Sequence, residues 1–256
     1  MLGAVAGDIV GSIYEGAGLK TTDFPLFHPR SRPTDDSVLT LAVAEAIMAK
    51  RPYGEVIREF ARRYPNAGYG GRFHRWFQSD DSAPYNSFGN GSAMRVSPVG
   101  FAFDSRERVL DEAEATALPT HNHPEGVKGA KAVALAVYLG RTGADKAAIR
   151  RAVTAEVGYD LSRTPEEIRS SYSFDVTCQG SVPEAIICFL ETDSWESAVR
   201  TAISLGGDAD TQACIAGAIA DAFYGGLDGD VEQKVFAILP EDLAEVARRW
   251  KERYKR

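Results

Sequence analysis

Two short acidic segments, far apart in the chain, carry the side chains best suited to chemistry. They are Thr34-Asp35-Asp36 and Asp208-Ala209-Asp210-Thr211, and each stands where a loop passes into an apolar helix. Each segment offers two carboxylates and a threonine hydroxyl. Hard oxygen ligands without histidine or cysteine suit Mg²⁺ or Mn²⁺ better than Zn²⁺. The two segments therefore predict one metal site, provided that folding brings them together.

Electrostatics favours two ions over one at such a site. Two unit charges about 4 Å apart near a protein surface repel by roughly 4 kcal/mol. Four carboxylates nearly balance two divalent cations, and helix N-termini keep first-turn aspartates in the ionised form that a metal requires. For either segment alone, ordinary N-capping is the competing interpretation. The pair favours the metal, and Gly206-Gly207 frees the backbone just before the second segment.

Composition is typical of a soluble enzyme with one domain spanning residues 1–256. The hydrophobic content of 44% over 256 residues can form a large core, and the net charge of −7 argues against nucleic acid or an anionic membrane as partner. The apolar run 2–10 is too short to span a bilayer, is broken by Asp8 and has no preceding basic stretch. We therefore expect a cytoplasmic monomer with a small ligand.

Helical periodicity dominates the chain, and no convincing strand pattern occurs. Helices are predicted at Ala4–Gly16, Ser37–Lys50, Tyr53–Arg63, Arg106–Ala117, Gly126–Arg141, Pro183–Glu191, Trp195–Ser204, Thr211–Tyr224 and Leu243–Tyr254. Alanine-rich segments within the fifth and eighth of these are apolar on nearly all sides, which is typical of central helices. The three cysteines, Cys178, Cys188 and Cys214, lie in apolar surroundings without C-x-x-C spacing and are expected to be buried thiols.

Glycine recurs every four residues in the first predicted helix, at Gly3, Gly7 and Gly11. Each costs about 1 kcal/mol of helix stability against alanine, so three indicate the close approach of another helix or a ligand. Asp8 and Glu15 lie seven residues apart in the same helical pattern, on one face. Glu15 could reach a metal site or a reacting bond, although a solvent-facing glutamate is the commoner case.

Two further segments have polar chemistry of lower specificity. Gly89-Asn90-Gly91-Ser92-Ala93-Met94-Arg95 has the form of a turn entering a helix, which could hold an anion or a sugar oxygen or simply start the helix. Thr120-His121-Asn122-His123-Pro124 lacks a third nitrogen or sulfur ligand nearby. We therefore expect its histidines to serve capping, packing or substrate binding rather than zinc.

Taken together, these motifs resemble those of the ADP-ribosylglycohydrolase family, which includes the dinitrogenase reductase-activating glycohydrolases. The resemblance covers Gly7-Asp8 to Tyr14-Glu15, Thr34 to Ser37, Gly89 to Arg95, Thr120-His121 and Gly206 to Thr211, in the family's order. It implies an all-α fold, a compact single-domain orthogonal helical bundle with a binuclear metal cleft. It also implies two Mg²⁺ or Mn²⁺ ions and hydrolysis of the bond between the ADP-ribose anomeric carbon and an acceptor.

The same resemblance implies roles for individual residues. Glu15 would approach the metals or the scissile bond, and acid or base assistance would come from Glu15 or a metal-bound aspartate, with Asp35 the predicted one. The implied metal ligands are Thr34, Asp35, Asp36, Asp208, Asp210 and Thr211. The implied substrate-binding residues are Gly89, Asn90, Gly91, Ser92, Met94 and His121.

The acceptor stays open at this level. Arginine-specific members of the family use a further aspartate in a loop over the cleft, and Asp80 and Asp81 are the nearest candidates here, without an identifying motif. Residues 162–179 match no motif; Tyr172, Ser173 and Phe174 could cover the adenine or plug the surface. Two alternatives remain, a metal-dependent phosphohydrolase that releases AMP and a non-catalytic relative, of which the second would be expected to lose metal ligands. The partner is an ADP-ribosylated protein or a small ADP-ribosyl conjugate.

Overall fold

The computed structural model describes residues 1–254 and shows an all-α protein, as predicted. The helices are α1 (Leu2–Gly11), α2 (Asp35–Ala49), α3 (Tyr53–Arg63), α4 (Gly71–Gln78), α5 (Gly91–Met94), α6 (Ser97–Ala102), α7 (Arg106–Ala117), α8 (Pro124–Arg141), α9 (Lys146–Val157), α10 (Pro165–Arg169), α11 (Cys178–Leu190), α12 (Trp195–Ile203), α13 (Ala209–Tyr224), α14 (Gly229–Ile238) and α15 (Glu241–Arg253). Within residues 1–254 the only extended pairing is an isolated bridge between Gly89 and Thr177.

Two central helices, α8 and α13, organise the bundle. Helix α13 packs against α1, α8, α11 and α12, and α8 also contacts α5, α6, α7 and α9. Every residue of α13 from Ala209 to Ala222 is buried, as is every residue of α1. The apolar alanine-rich segments therefore lie at the centre, as their composition predicts. The three cysteines are free and buried, as expected.

The glycines of α1 form the contact between α1 and α13. A Cβ atom added to Gly7 would lie 2.1 Å from the carbonyl oxygen of Ala213, and one added to Gly11 would lie 2.5 Å from the Cα of Asp210. At Gly3 the corresponding distance to the carbonyl oxygen of Gly217 is 2.4 Å. The neighbour of the glycine stripe is thus a helix rather than a ligand, and the two backbones touch.

Helix boundaries differ from the predicted ones at two informative places. Helix α1 ends at Gly11, not Gly16, and the chain continues through a turn that contains Glu15. Helix α11 begins at Cys178, five residues before Pro183, with Thr177 as N-cap. A proline marks helix starts because it lacks an N–H group. Here Pro183 lies inside the helix, and the helix start predicted at Pro183 is therefore wrong by five residues.

Several helices were not predicted from sequence, namely α4, α9, α14 and the short α6 and α10, whereas α5 follows the turn that the segment 89–95 predicts. No helix in the described part of the chain combines the length and the hydropathy that crossing a bilayer requires. The buried apolar residues form one continuous cluster that includes residues of α1, α2, α8, α11, α12 and α13. This cluster supports the helix ends that carry the acidic segments.

The glycine contact generates a first prediction. Replacing Gly7 by alanine should destabilise the protein by about 2 kcal/mol or more, because the added methyl group meets the backbone of α13, which cannot rotate away. Thermal unfolding should show a clear decrease in Tm. A matched control is Gly229→Ala in the first turn of α14, where an added Cβ meets nothing within 4 Å. Equal stability of both variants would contradict the packing role of the stripe.

Candidate active site

The two acidic segments meet, as the sequence predicts, at the starts of α2 and α13. Carboxylate oxygens of Asp8, Asp36 and Asp210 all lie within 4.8 Å of one another. Oxygens of Glu15, Asp208 and Asp210 form a second such group with the same spacing. Asp210 belongs to both groups and therefore connects them. The two segments are separated by 171 residues, 37–207, and the packing of α1, α2 and α13 brings them together.

Asp8 holds the start of α2 in place. Its carboxylate accepts hydrogen bonds from the backbone N–H groups of Thr34 (2.9 Å) and Ser37 (3.0 Å), and from the hydroxyl of Thr34 (2.6 Å). The hydroxyl of Ser37 donates a fourth. Asp8 is fully buried. The sequence analysis did not assign Asp8 a site role, although Gly7-Asp8 belongs to the motifs that carry the family resemblance.

The two threonines have different surroundings. Thr34 caps α2 by accepting from the N–H of Asp36 at 3.3 Å, so the capping interpretation is correct for this residue, while its own proton goes to Asp8. Thr211 directs its hydroxyl to Oδ2 of Asp36 at 3.4 Å. The other oxygen of Asp36, Oδ1, is buried without a hydrogen-bond partner among the described residues. A buried carboxylate oxygen in this state calls for a cation or a proton.

Asp208 and Asp35 face the cavity from opposite helices. Asp208 occupies the N-cap position of α13, but its side chain makes no capping hydrogen bond. It accepts instead from Nδ2 of Asn90 at 2.7 Å, which ties the glycine-containing segment 89–95 to the acidic centre. The N–H of Asp35 donates to the carbonyl of Ala67 at 2.9 Å, so its carboxylate lies partly exposed at the cavity wall.

Glu15 reaches this centre from a turn rather than from a helix face. The turn is held by the hydroxyl of Tyr14, which donates to the carbonyl of Pro25 at 2.9 Å, and by the contact of the Tyr14 and Phe24 rings. Glu15 is exposed and lines the cavity. The seven-residue spacing from Asp8 therefore does not place both on one helical face, and tertiary packing alone brings Glu15 to Asp210.

Burial and mutual repulsion favour protonation of these acids when no cation is bound. Burial, followed by the charge of Asp210, raises the pKa of Asp8 from 3.8 to about 7. The same two causes raise the pKa of Asp35, Asp36 and Asp208 well above the ordinary value. The charge of Asp210, followed by burial, also raises the pKa of Glu15. The centre is thus short of positive charge.

A cavity of about 470 Å³ opens directly above the acidic centre. Its floor contains Glu15, Asp35, Asp36, Asp208, Asp210 and Thr211. One wall is the segment 89–95, of which Gly89, Asn90, Gly91 and Met94 contribute together with His121. Five of the six predicted substrate-binding residues therefore line this cavity.

Ser92 is the exception and requires a correction. It is fully buried, and its hydroxyl donates to the carbonyl of Gly126 at 2.7 Å. It therefore supports the segment 89–95 from behind and does not face the cavity. The front of this segment is fixed by the backbone, since the N–H of Asn90 donates to the carbonyl of Val176 at 2.8 Å and the N–H of Cys178 to that of Phe88 at 2.9 Å.

Several cavity residues were not found from sequence. Phe88 and Val176 stand at the mouth with 42% and 48% of their surface exposed. Arg72 contributes its guanidinium, which lies 5.1 Å from the ring centre of Tyr85, another wall residue. A single sequence carries no signal for an exposed aromatic ring or for an arginine that folding brings to a distant cavity.

The aspartates and aromatic residues to which the sequence assigned no definite role lie outside the acidic centre. Neither Asp80 nor Asp81 lines the main cavity; Asp80 lies 3.7 Å from Arg62, and Asp81 lines an adjoining hollow of about 270 Å³ next to Arg72. Tyr172 packs against Gly207 and donates its hydroxyl proton to the carbonyl of Gly180 at 2.6 Å. It therefore plugs the surface beside the second acidic segment, whereas Phe174 is half exposed.

The raised pKa of Asp8 generates a prediction for the metal-free protein. A folded-state pKa of about 7 against an ordinary 3.8 means that the folded state binds the extra proton, so this contribution to stability is complete below about pH 4 and is lost as the pH rises through about 7. In EDTA, Tm should fall across this interval, and added Mg²⁺ or Mn²⁺ should restore it most strongly at the upper end. The exposed control Asp111→Asn should behave like wild type. A metal-free Tm that is constant or rises would contradict a cluster of repelling carboxylates.

Comparison with known proteins agrees with this geometry. The sequence profile of the ADP-ribosylglycohydrolase family matches residues 1–255. The human ADP-ribosylhydrolase ARH3 is 30% identical over 305 aligned positions, which cover 88% of this chain and 84% of the relative. The ADP-ribosyl-[dinitrogen reductase] glycohydrolase of Rhodospirillum rubrum is 28% identical over 217 positions, covering 75% of this chain and 69% of the relative.

The fold has a similar solved counterpart. A chain described as an ADP-ribosylglycohydrolase-related protein complex superimposes with a TM-score of 0.73 at 26% identity, covering 96% of this chain and 93% of that one. The profile match spans nearly the whole sequence, and the acidic segments that suggested the resemblance lie together at one cavity. This chain belongs to the ADP-ribosylglycohydrolase family, which supports hydrolysis of ADP-ribose conjugates as its class of activity.

Proposed function

We propose that this protein hydrolyses the glycosidic bond between ADP-ribose and an acceptor, releases intact ADP-ribose and depends on Mg²⁺ or Mn²⁺. One observation carries the proposal: a single cavity has a carboxylate floor, a glycine-containing wall and an exposed aromatic ring at its mouth. These three features match a ribose with hydroxyl groups, a diphosphate and a base, in that order along the ligand.

The dimensions of the cavity agree with such a ligand. Its volume of about 470 Å³ lies in the range of roughly 300–1,000 Å³ that is common for small-molecule sites. The lack of side chains at Gly89 and Gly91 allows a diphosphate to approach the backbone closely. Phe88 and Val176 offer an apolar surface on which a base can lie. The terminal ribose then points to the acidic floor.

The acidic floor fits divalent cations. The residues that would hold them are the predicted ones, Thr34, Asp35, Asp36, Asp208, Asp210 and Thr211, all oxygen donors. The unpartnered Oδ1 of Asp36 and the raised pKa values of four aspartates are the expected properties of such a centre without its charge partner. When bound, Mg²⁺ or Mn²⁺ supplies Lewis-acid polarisation of oxygen ligands and orientation of the substrate.

Glu15 and Asp35 are the residues that we assign to proton transfer. Both carboxylates line the cavity, and both are more exposed than the other acids of the centre. The pKa of each is raised, which brings a carboxyl group closer to the range where it can give and take a proton near neutral pH. One of them would remove a proton from the attacking water, or protonate the leaving acceptor, while Asn90 holds Asp208 in position.

The first test identifies the product. Purified protein should release intact ADP-ribose from an arginine-linked or a serine-linked ADP-ribosyl peptide in Mg²⁺ or Mn²⁺, and release should stop in EDTA. Mass spectrometry of the nucleotide product and comparison of the two peptides would name the acceptor class. The relative from Rhodospirillum rubrum is named for ADP-ribosyl-dinitrogen reductase, and the arginine-linked and serine-linked peptides test whether a protein side chain is the acceptor here as well.

Other products would point elsewhere. AMP would show cleavage of the diphosphate and therefore a phosphohydrolase. Absence of any product, despite saturable ADP-ribose binding by a folded protein, would favour a non-catalytic ADP-ribose-binding protein or an acceptor outside the two peptides. Release that continues unchanged in EDTA, with metal removal verified by elemental analysis, would contradict the metal dependence.

A second test separates the metal role of Asp210 from a structural one. Asp210→Asn should lower kcat by at least about 100-fold, because a charged ligand shared by both carboxylate groups is lost. The same variant should raise the Tm of the metal-free protein, since the charge of Asp210 opposes ionisation of the neighbouring acids. Stabilisation by added Mg²⁺ or Mn²⁺ should disappear. A variant with near-normal turnover would refute the assignment, and Asp111→Asn serves as the control.

A further inference from the structure

His121 has one ring nitrogen toward the cavity and the other toward the protein interior. The residue is 5% exposed and lines the cavity. A Cβ atom added to Gly91 would lie 3.1 Å from Nε2 of His121, and one added to Gly89 would lie 3.8 Å from it. Nε2 therefore lies against the glycine wall near which the ligand is expected, and the His121 ring occupies the space that a side chain at Gly91 would need.

The interior nitrogen belongs to a short hydrogen-bonded chain. Nη2 of Arg95 donates to Oγ1 of Thr120 at 2.8 Å, and the same Oγ1 lies 2.7 Å from Nδ1 of His121. A guanidinium group has only donors, so Thr120 must accept from Arg95. The hydroxyl of Thr120 retains one proton, and Nδ1 of His121 is the remaining partner at hydrogen-bond distance among the described residues.

Two arrangements of the Thr120–His121 contact can be compared by their cost. If Nδ1 carried a proton, it would donate to Thr120, and the hydroxyl proton of Thr120 would have no acceptor. Thr120 is fully buried, and an unsatisfied buried donor costs about 1–3 kcal/mol. If Nδ1 is unprotonated, it accepts from Thr120, and the hydroxyl proton of Thr120 has its acceptor. The geometry therefore favours the second arrangement.

Burial and two nearby guanidinium groups favour the neutral form of the His121 ring. Arg95 is fully buried and forms no ion pair with a carboxylate among the described residues; its Nη2 also donates to the carbonyl of Thr116 at 2.8 Å. Burial, followed by the charges of Arg95 and Arg72, lowers the pKa of His121 well below the ordinary value. With the ring neutral and Nδ1 accepting, the single ring proton must be on Nε2.

We propose that Arg95 and Thr120 are positioning residues that fix His121 as the neutral, Nε2-protonated tautomer, so that the ring presents an N–H donor to a diphosphate oxygen at the glycine wall. The identity of the ligand oxygen rests on the proposed function, whereas the tautomer does not. With its proton fixed on Nε2, His121 favours a ligand that places an anionic oxygen opposite this N–H group. A ligand with a hydrogen-bond donor at the same position would be disfavoured, because two protons would face each other.

Nuclear magnetic resonance of the free protein tests the tautomer directly. Long-range ¹H–¹⁵N spectra distinguish a protonated from an unprotonated ring nitrogen, and the His121→Gln variant identifies the His121 signals among those of the four histidines. Wild type should show Nε2 protonated and Nδ1 unprotonated. A protonated Nδ1, alone or with Nε2, would overturn the proposal; the tautomer is read from the wild-type spectrum, and the variant serves only to assign it.

Three threonine variants test the role of the relay. Thr120→Val should give a mixture of both tautomers and weaken ADP-ribose binding by about twofold for an even mixture, because the apparent affinity falls with the fraction of protein that carries the Nε2 proton. Thr120→Ser should restore the wild-type spectrum and affinity. Thr116→Val is the matched control, a buried threonine whose hydroxyl bonds its own helix at the carbonyl of Ala113, 2.8 Å away. It should leave the tautomer unchanged.

The two levels of the proposal fail separately. A Thr120→Val protein that folds and keeps the wild-type tautomer would overturn the relay. A shifted tautomer with unchanged ADP-ribose affinity, measured by calorimetry, would overturn the donor role. If wild type shows the expected tautomer but binds no ADP-ribose, the proposed function and the donor role fall, while the relay of Arg95, Thr120 and His121 stands.

Discussion

The concentration of carboxylates where α1, α2 and α13 meet is the constraint on which the rest of the site depends. Asp8, Asp36 and Asp210 are buried within 4.8 Å of one another, and like charges so close oppose their own ionisation. The fold sustains this arrangement because the backbones of α1 and α13 are in direct contact along the glycines of α1. Separating the two helices to relieve the repulsion would break this contact. The large buried apolar core around these helices offsets the destabilisation that the clustered carboxylates cause.

The cavity joins two opposite electrostatic environments. Its floor is acidic, whereas the wall near His121 contains the buried cation Arg95 and the more exposed Arg72. An extended ligand with hydroxyl groups at one end and a diphosphate in the middle complements both. The acidic floor alone would repel a diphosphate, so the separation of these environments along one cavity would let the proposed nucleotide-sugar ligand bind beside the proposed metal centre.

Much of the fold follows from local sequence patterns. Two helices, Tyr53–Arg63 and Arg106–Ala117, have the predicted boundaries; amphipathic periodicity marks the first, and Ser105 caps the second. Long-range packing decided other boundaries. Helix α1 stops at Gly11 although the apolar pattern continues, and Pro183 lies inside α11 because the residues before it already form a capped, buried turn. Short helices such as α5 have too few residues for a periodic signal.

The sequence by itself showed which oxygen donors the site would contain, because both acidic segments are visible without the fold, whereas ordinary N-capping explains either segment alone. It also identified the family through the order of these motifs. Only the tertiary structure decided which groups meet. It brought Glu15 to Asp210 from a turn, turned Ser92 away from the cavity and placed Arg95 behind His121. Residue types limit what a side chain can do, whereas the distances between segments far apart in the chain depend on how all the helices pack at once.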